Sequence, residues 1–379
     1  MNVTGDFKPK LSEILVFGSL ISSTDPVSTL AVFQKKRVDP QLFYLVFGES
    51  VLNDAVCLVL FNALTKFVGR EMPGNQVLFA ILHFLMDFTI SFCGSLTLGV
   101  LCGLGSAFLL KHIDMRSTRL LELSLYVMIM YLPFFLAEVM HMSGIVSILF
   151  TGIAARHWAA PNLSEDTAAD ADSFFRLISH LAETVIFLEM GLSVFGLSLN
   201  GGHFGLFILW SLLACLVSRA SNVYPMTFLY NFSIDREIAA RQREADSHKS
   251  NLYHDGGYGT DIDDPNDVAE LMELKIPAKT AHMMWFSGLR GAVAYACAKM
   301  FPDAYGNQAG IVYVTMVMVL TTIFGLGSAT EMVLYRLNID VGVDEDQYMT
   351  DKSNKVQRGM LKTLGKFADS FLQSSILKD

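Results

Sequence analysis

Apolar runs of about twenty residues, interrupted by short polar stretches, recur along nearly the whole chain. A bilayer core of about 30 Å needs roughly 20 apolar residues per spanning helix. By that rule nine stretches are predicted to span: about 11–33, 42–66, 78–110, 119–138, 142–158, 173–196, 203–231, 280–300 and 308–336. The third is too long for one straight crossing and predicts tilt or extension beyond the bilayer. An odd number of spans places the termini on opposite sides. The pattern predicts an all-α polytopic membrane protein, with a transmembrane core over 1–231 and 280–336 and a short tail over 337–379. Residues 232–279 are rich in charge, contain Asp255-Gly256-Gly257-Tyr258-Gly259, and hold too little apolar content for a core. They predict a disordered cytosolic insertion.

Composition sharpens this reading. Of the 379 residues 52% are apolar and only 17% charged, where soluble domains carry about a quarter charged residues. That excludes a disordered chain and argues against a soluble enzyme. The 28 glycines suit spanning helices that pack closely. The formal charge of −9 comes without a basic stripe, so nucleic acid is not an expected partner. Lys and Arg fall in alternate loops: Lys35, Lys36 and Arg37, then Lys111, Arg116 and Arg119, then Arg156, then the long insertion, and finally the tail. The intervening loops offer only Arg70. Positive residues mark the cytosolic side, so the C-terminus is expected in the cytosol and the N-terminus outside it. The five cysteines lie in apolar stretches without paired or metal-ligand spacing, so disulfides, zinc sites and thiol redox chemistry are not expected, and no cofactor is.

Ionisable residues at membrane depth are costly, and each is a functional candidate. In Ser22-Ser23-Thr24-Asp25-Pro26, Pro26 removes a backbone donor and pushes Asp25 out of helical geometry, predicting a helix broken in mid-membrane. Such a break is tolerated where it lines a cavity or site. Glu49, Asn53 and Asp54 crowd one apolar helix, with Glu49 and Asn53, and likewise Ser50 and Asp54, four residues apart. Desolvation favours the protonated carboxyl and a nearby cation favours the ionised one. Asp54 can therefore hold a proton or a monovalent cation, but not both. Gly288-Leu289-Arg290-Gly291 predicts a second break, with helix N-termini at the crossing offset by Asp25 and C-termini by Arg290. A placement of Arg290 at a cytosolic helix end, reaching to water, fits its position equally well. Arg219 lies deep in the seventh span and requires a buried partner, for which Glu49 is favoured. Glu183 and Glu189 are six apart and face different sides of their helix, so they do not act as a pair. His83, His141 and His180 have no ligand-like companions.

Thr24-Asp25-Pro26-Val27, Phe47-Gly48-Glu49-Ser50-Val51-Leu52-Asn53-Asp54-Ala55-Val56 and Phe286-Ser287-Gly288-Leu289-Arg290-Gly291-Ala292-Val293-Ala294 closely resemble the sodium/proton exchanger family of monovalent cation:proton antiporters. The likeness runs from about residue 11 to 347. Arg219-Ala220-Ser221-Asn222-Val223-Tyr224-Pro225 and Val341-Gly342-Val343-Asp344-Glu345-Asp346-Gln347 are most similar to its organellar, endosome-resident branch. The resemblance implies a homodimer of thirteen-helix protomers, two crossing broken helices in an inverted repeat, and elevator-type alternating access. On the matching positions Asp54 would be the carboxylate that binds Na+ or K+ in exchange for H+, with Asn53 beside it. Thr24 and Asp25 would line the unwound segment before Pro26. Glu49 and Arg219 would form a structural ion pair, and Arg290 would sit at the second break between Gly288 and Gly291. An Asn before the Asp is associated with electroneutral exchange. The implied membrane is endosomal or Golgi-type, with the plasma membrane as an alternative.

Two departures from the family shape the expectations. Glu189 stands where an uncharged residue is expected and predicts an added role or a cytosolic-side partner, and Glu183 is a second accessory candidate. The nine spans correspond to the fifth to thirteenth helices of the family, so the chain is expected to be a fragment or an incomplete gene product. A non-transporting regulator or scaffold that binds full-length exchangers is the alternative function, and an ion channel a third.

Overall fold

The computed structural model describes residues 7, 9–69, 77–113, 118–195, 204–255, 272, 274–344 and 348. Within them twelve α-helices follow one another: α1 (Leu11–Ser22), α2 (Val27–Lys36), α3 (Pro40–Thr65), α4 (Val77–His112), α5 (Arg119–Val139), α6 (Gly144–Ala154), α7 (Glu165–Phe195), α8 (Phe204–Asp255), α9 (Ala278–Phe286), α10 (Ala292–Lys299), α11 (Gln308–Thr322) and α12 (Ser328–Arg336). Among the described residues seven helical stretches are long and apolar enough to cross a membrane. Two predicted spans fall outside that set because their helices are short or irregular. One runs through α6 into a π-helical turn, Ala155–Ala159, and a 3-10 turn, Ala160–Asn162. The other is split into α9 and α10 by Ser287–Gly291. At 36 residues α4 is about 54 Å long at 1.5 Å per residue, which matches the overlong third stretch.

The expected end of the seventh span near residue 231 needs correction. Helix α8 continues to Asp255 through the first half of the polar stretch read as a loop. The sequence from Met226 to Asp255 has no Gly or Pro, and residues 236–245 are mostly Ala, Arg and Glu, all strong helix formers. Ile234 and Ile238, four apart, bury one face of the extension. Asn231 exchanges two hydrogen bonds of 2.9 Å with the backbone of Ile276, and Asp235 pairs with Lys275 at 2.5 Å. Low apolar content argues against a core, but it does not argue against a helix clamped at its base. Most of the remaining insertion and nearly all of the tail beyond Asp344 lie outside the described residues.

Two of the interior's apolar clusters frame α7, and a third, of similar size to the second, joins α2, α3, α9 and α12 around Phe33, Leu42, Met283 and Leu334. The larger fills the space among α1, the end of α3, α10 and α11, with Leu20, Phe61, Tyr295, Phe301 and Met318 almost fully enclosed. The second joins α4, α5 and the π-helical turn after α6, around Ala107, Tyr126 and Ala155. Helix α7 belongs to both, since Ala171 near its start packs in the second and Met190 near its end in the first.

Candidate functional site

Two helices stop and restart beside one another. Between α1 and α2 the chain leaves helical geometry at Ser23, with ψ of 131°, and re-enters after Pro26. Between α9 and α10 it becomes extended at Gly291, with φ −136° and ψ −157°. The Asp25 amide donates to the Leu289 carbonyl at 3.0 Å, which ties one break to the other. Each break exposes helix ends whose backbone groups need partners away from water.

Charged side chains supply those partners. Arg290, 4% exposed, donates from Nη1 to the carbonyls of Ser22 at 2.9 Å and Ser23 at 3.1 Å, at the C-terminal end of α1. Its own amide donates to Thr322 Oγ1 at 3.1 Å. Asp25 accepts from the amides of Val27 at 3.3 Å and Ala292 at 3.4 Å, at the N-terminal ends of α2 and α10. A negative group at helix N-termini and a positive one at a C-terminus match the sign of the helix dipoles. Arg290 is therefore at the break and not at a cytosolic helix end.

The second arginine serves two purposes. Arg219 reaches from α8 to Glu49 on α3 in a bidentate pair of 2.8 and 2.9 Å. It also donates to the carbonyl of Met284, at 2.7 Å from Nη2 and 3.2 Å from Nε, and to that of Trp285 at 3.2 Å. These are carbonyls of the last turn of α9, so Arg219 is the C-terminal cap of the second broken helix as well as the partner of Glu49. The planar guanidinium with five donors can do both at once, which a lysine ammonium cannot.

Asp54 faces the first break from α3. Its Oδ1 accepts from the Ser23 hydroxyl at 2.5 Å, and no ion pair to it occurs among the described residues. Asn53 Nδ2 donates to the Ser22 carbonyl at 2.8 Å and to Thr24 Oγ1 at 3.1 Å, while Ser50 Oγ donates to the Thr24 carbonyl at 2.6 Å. Thr24, Asp25, Asn53, Asp54 and Arg290 are thus brought together, with Glu49 and Arg219 behind them. Glu183 is half-buried, and Glu189 pairs with Lys299 Nζ at 3.0 Å. That partner lies near the C-terminal end of α10, at the end of the bundle where α1 begins. Lys299 is thus the partner that the sequence left unnamed for Glu189.

Sequence reasoning missed the Ser23 hydroxyl on Asp54, the Thr322 hydroxyl on Arg290 and the capping of α9 by Arg219. Ser23 could have been found from its place beside Thr24, as a donor next to a buried carboxylate. Thr322 carries no signal of its own in the sequence. Among the described residues no three His, Cys, Asp or Glu gather as metal ligands.

The glycines of the second break are required by the close approach. A Cβ at Gly291 would fall on the Asp25 carboxylate, and one at Gly288 on the Arg219 side chain. Gly291→Ala is expected to push Asp25 off the Ala292 amide and to cost about 1–3 kcal/mol of stability, in the range of overpacked sites. A thermal melt equal to that of the native protein would show that the crossing is looser than its geometry implies.

The family described as "Sodium/hydrogen exchanger, transmembrane" matches residues 1–335. The chain belongs to the sodium/hydrogen exchanger family. Among similar exchangers, "Sodium/hydrogen exchanger 9" of Rattus norvegicus is 34% identical over 366 residues, covering 95% of this chain and 50% of that protein. "Sodium/hydrogen exchanger 8" of Homo sapiens is 36% identical over 358 residues, covering 94% and 54%, and "Sodium/hydrogen exchanger 5" of Arabidopsis thaliana is 36% identical over 351 residues, covering 91% and 59%. The chain therefore spans little more than half the length of these exchangers. The sodium proton antiporter MjNhaP1 from Methanocaldococcus jannaschii is a similar solved structure, with a TM-score of 0.52 at 18% identity, over 87% of this chain and 72% of that one. That likeness gives the antiporter fold to the helical arrangement described above.

Proposed function

We propose that this chain forms the translocating part of a monovalent cation:proton exchanger in which Asp54 holds Na+ or K+ in one half of the cycle and H+ in the other. The observation that carries this reading is the distribution of charge at the crossing. Of its three carboxylates, Glu49 is taken by Arg219 and Asp25 by two helix N-termini, whereas Asp54 is met only by neutral polar groups. A carboxylate without a resident cation is free to exchange one. The Ser23 hydroxyl and the Thr24 and Asn53 side chains supply oxygens of the hard kind that alkali cations prefer. One carboxylate swaps one charge for one charge, so the exchange is electroneutral. Homodimeric assembly, nine spans with a cytosolic C-terminus, and an endosomal or Golgi-type membrane complete the reading, supported by the motifs and by the loop charges.

The test is exchange by the purified protein in sealed vesicles carrying a pH-sensitive dye. An inward Na+ or K+ gradient should drive proton efflux at a rate unchanged when the membrane potential is clamped at different values. A steady current under clamp overturns the exchanger reading in favour of a channel. No flux, together with co-purification of a longer exchanger chain, overturns it in favour of a regulator.

A further inference from the structure

Glu189 and Lys299 are not accounted for by the exchange site. They join α7 to α10, and a second polar contact lies one turn away on each helix, where Ser193 Oγ and the Tyr295 hydroxyl are 2.9 Å apart. Lys299 Nζ also lies 5.4 Å from the centre of the Tyr295 ring. Tyr295 itself is 1% exposed and forms part of the large apolar cluster. That cluster holds Val16 and Leu20 of α1, Phe61 of α3 and Phe301, all on the side of the break where α1 begins. Apolar side chains thus pack on this side of the crossing, and the partly exposed Glu189–Lys299 pair lies beside Tyr295 at their margin.

The two helices differ in their attachments. Helix α10 starts at the crossing itself, with its first amide on Asp25, while the beginning of α7 is packed against α5 in the other cluster. A movement of the crossing relative to the helices packed on α5 separates α10 from the end of α7. We infer that Glu189 and Lys299, backed by Ser193 and Tyr295, close the ion passage at the end where α1 begins and must part before Asp54 can face that side. They are positioning residues: neither touches the crossing, and their effect is on which side Asp54 can reach. The inference rests on the exchanger reading for its meaning but not for its test.

Cys297 offers a reporter, since it lies in the same apolar cluster between Tyr295 and Lys299 in the chain and is 2% exposed. A membrane-impermeant maleimide is applied from the side of residues 1–10, and labelling is followed by mass spectrometry of each cysteine peptide. Cys102 on α4, outside this cluster, is the control. Glu189→Gln and Lys299→Gln should each label Cys297 several-fold faster than the native protein, with Cys102 unchanged. The exchanged pair, Glu189→Lys with Lys299→Glu, should return the rate toward the native one. Equal rates in the single variants, equal acceleration at Cys102, or failure of the exchanged pair to slow the labelling would each overturn the closure. Labelling needs no transport, so a failure of the exchanger reading would appear separately, as exchange that survives loss of the Asp54 charge.

Discussion

Asp54→Asn is expected to reduce cation-driven proton flux to the level of protein-free vesicles while leaving the protein folded. The amide has nearly the shape of the carboxylate, and its oxygen can still accept the Ser23 hydroxyl that Asp54 receives at 2.5 Å. The contacts made by Asn53 and Ser50 on the neighbouring turn do not involve the substituted group. What disappears is the ability to carry a negative charge and to take up a proton, and the proposed reaction consists of those two states. Flux should therefore fall to background with a thermal melt close to the native one. pH-dependent exchange that persists in this variant would show that another group carries the ion.

Glu49→Gln should act in the opposite way, on stability first. Arg219 would keep its bonds to Met284 and Trp285 but lose the charge that balances it in a buried position. Breaking a buried pair by removing one partner costs roughly 3–5 kcal/mol. The lower end applies here, because Gln still presents one oxygen to the guanidinium. Expression and melting temperature should both drop, with any protein that folds still able to exchange. Removing both members, as Glu49→Gln with Arg219→Met, should not restore stability, because the last turn of α9 then loses its cap. An unchanged melting curve for Glu49→Gln would mean that the pair contributes little and that capping is the whole task of Arg219.

Much of the crossing was legible in the sequence because proline, glycine and intramembrane charge obey local rules. Pro26 removes a backbone donor beside the charged Asp25 and marks a break there, although Pro133 and Pro225 sit inside continuous helices, and Arg219 demands an anion whatever the fold. The placement of Asp25 at helix N-termini follows from the sign of the peptide dipole, whereas Arg290 was left open between the break and a helix end, and its bonds to the Ser22 and Ser23 carbonyls decide it. The double use of Arg219 was not legible, since nothing in its own helix tells that the carbonyls of Met284 and Trp285 will end beside it. The partner of Glu189 was missed for a similar reason: Lys299 lies more than a hundred positions away, and its pairing depends on how two helices cross. The long helix after residue 231 was misread because polarity was taken as evidence against structure, although helix propensity is independent of burial. The glycines at 288 and 291 were legible as a break, but only the packing shows that side chains of α1–α2 and α8 occupy the space that a Cβ would need.

The break between α1 and α2 also constrains the order in which the protein can be made. The Ser23 carbonyl is met by Arg290, 267 positions later in the chain. At synthesis rates of 5–20 residues per second, that donor emerges roughly 13–53 s after the oxygen it must satisfy. A bare carbonyl is not tolerated in hydrocarbon for its own sake, so through that interval the first broken helix must stay hydrated, lie beside the insertion machinery, or remain unbroken. The crossing is therefore a late event in biogenesis, and a ribosome stalled before residue 290 leaves a nascent chain whose α1–α2 segment has not yet reached its final shape.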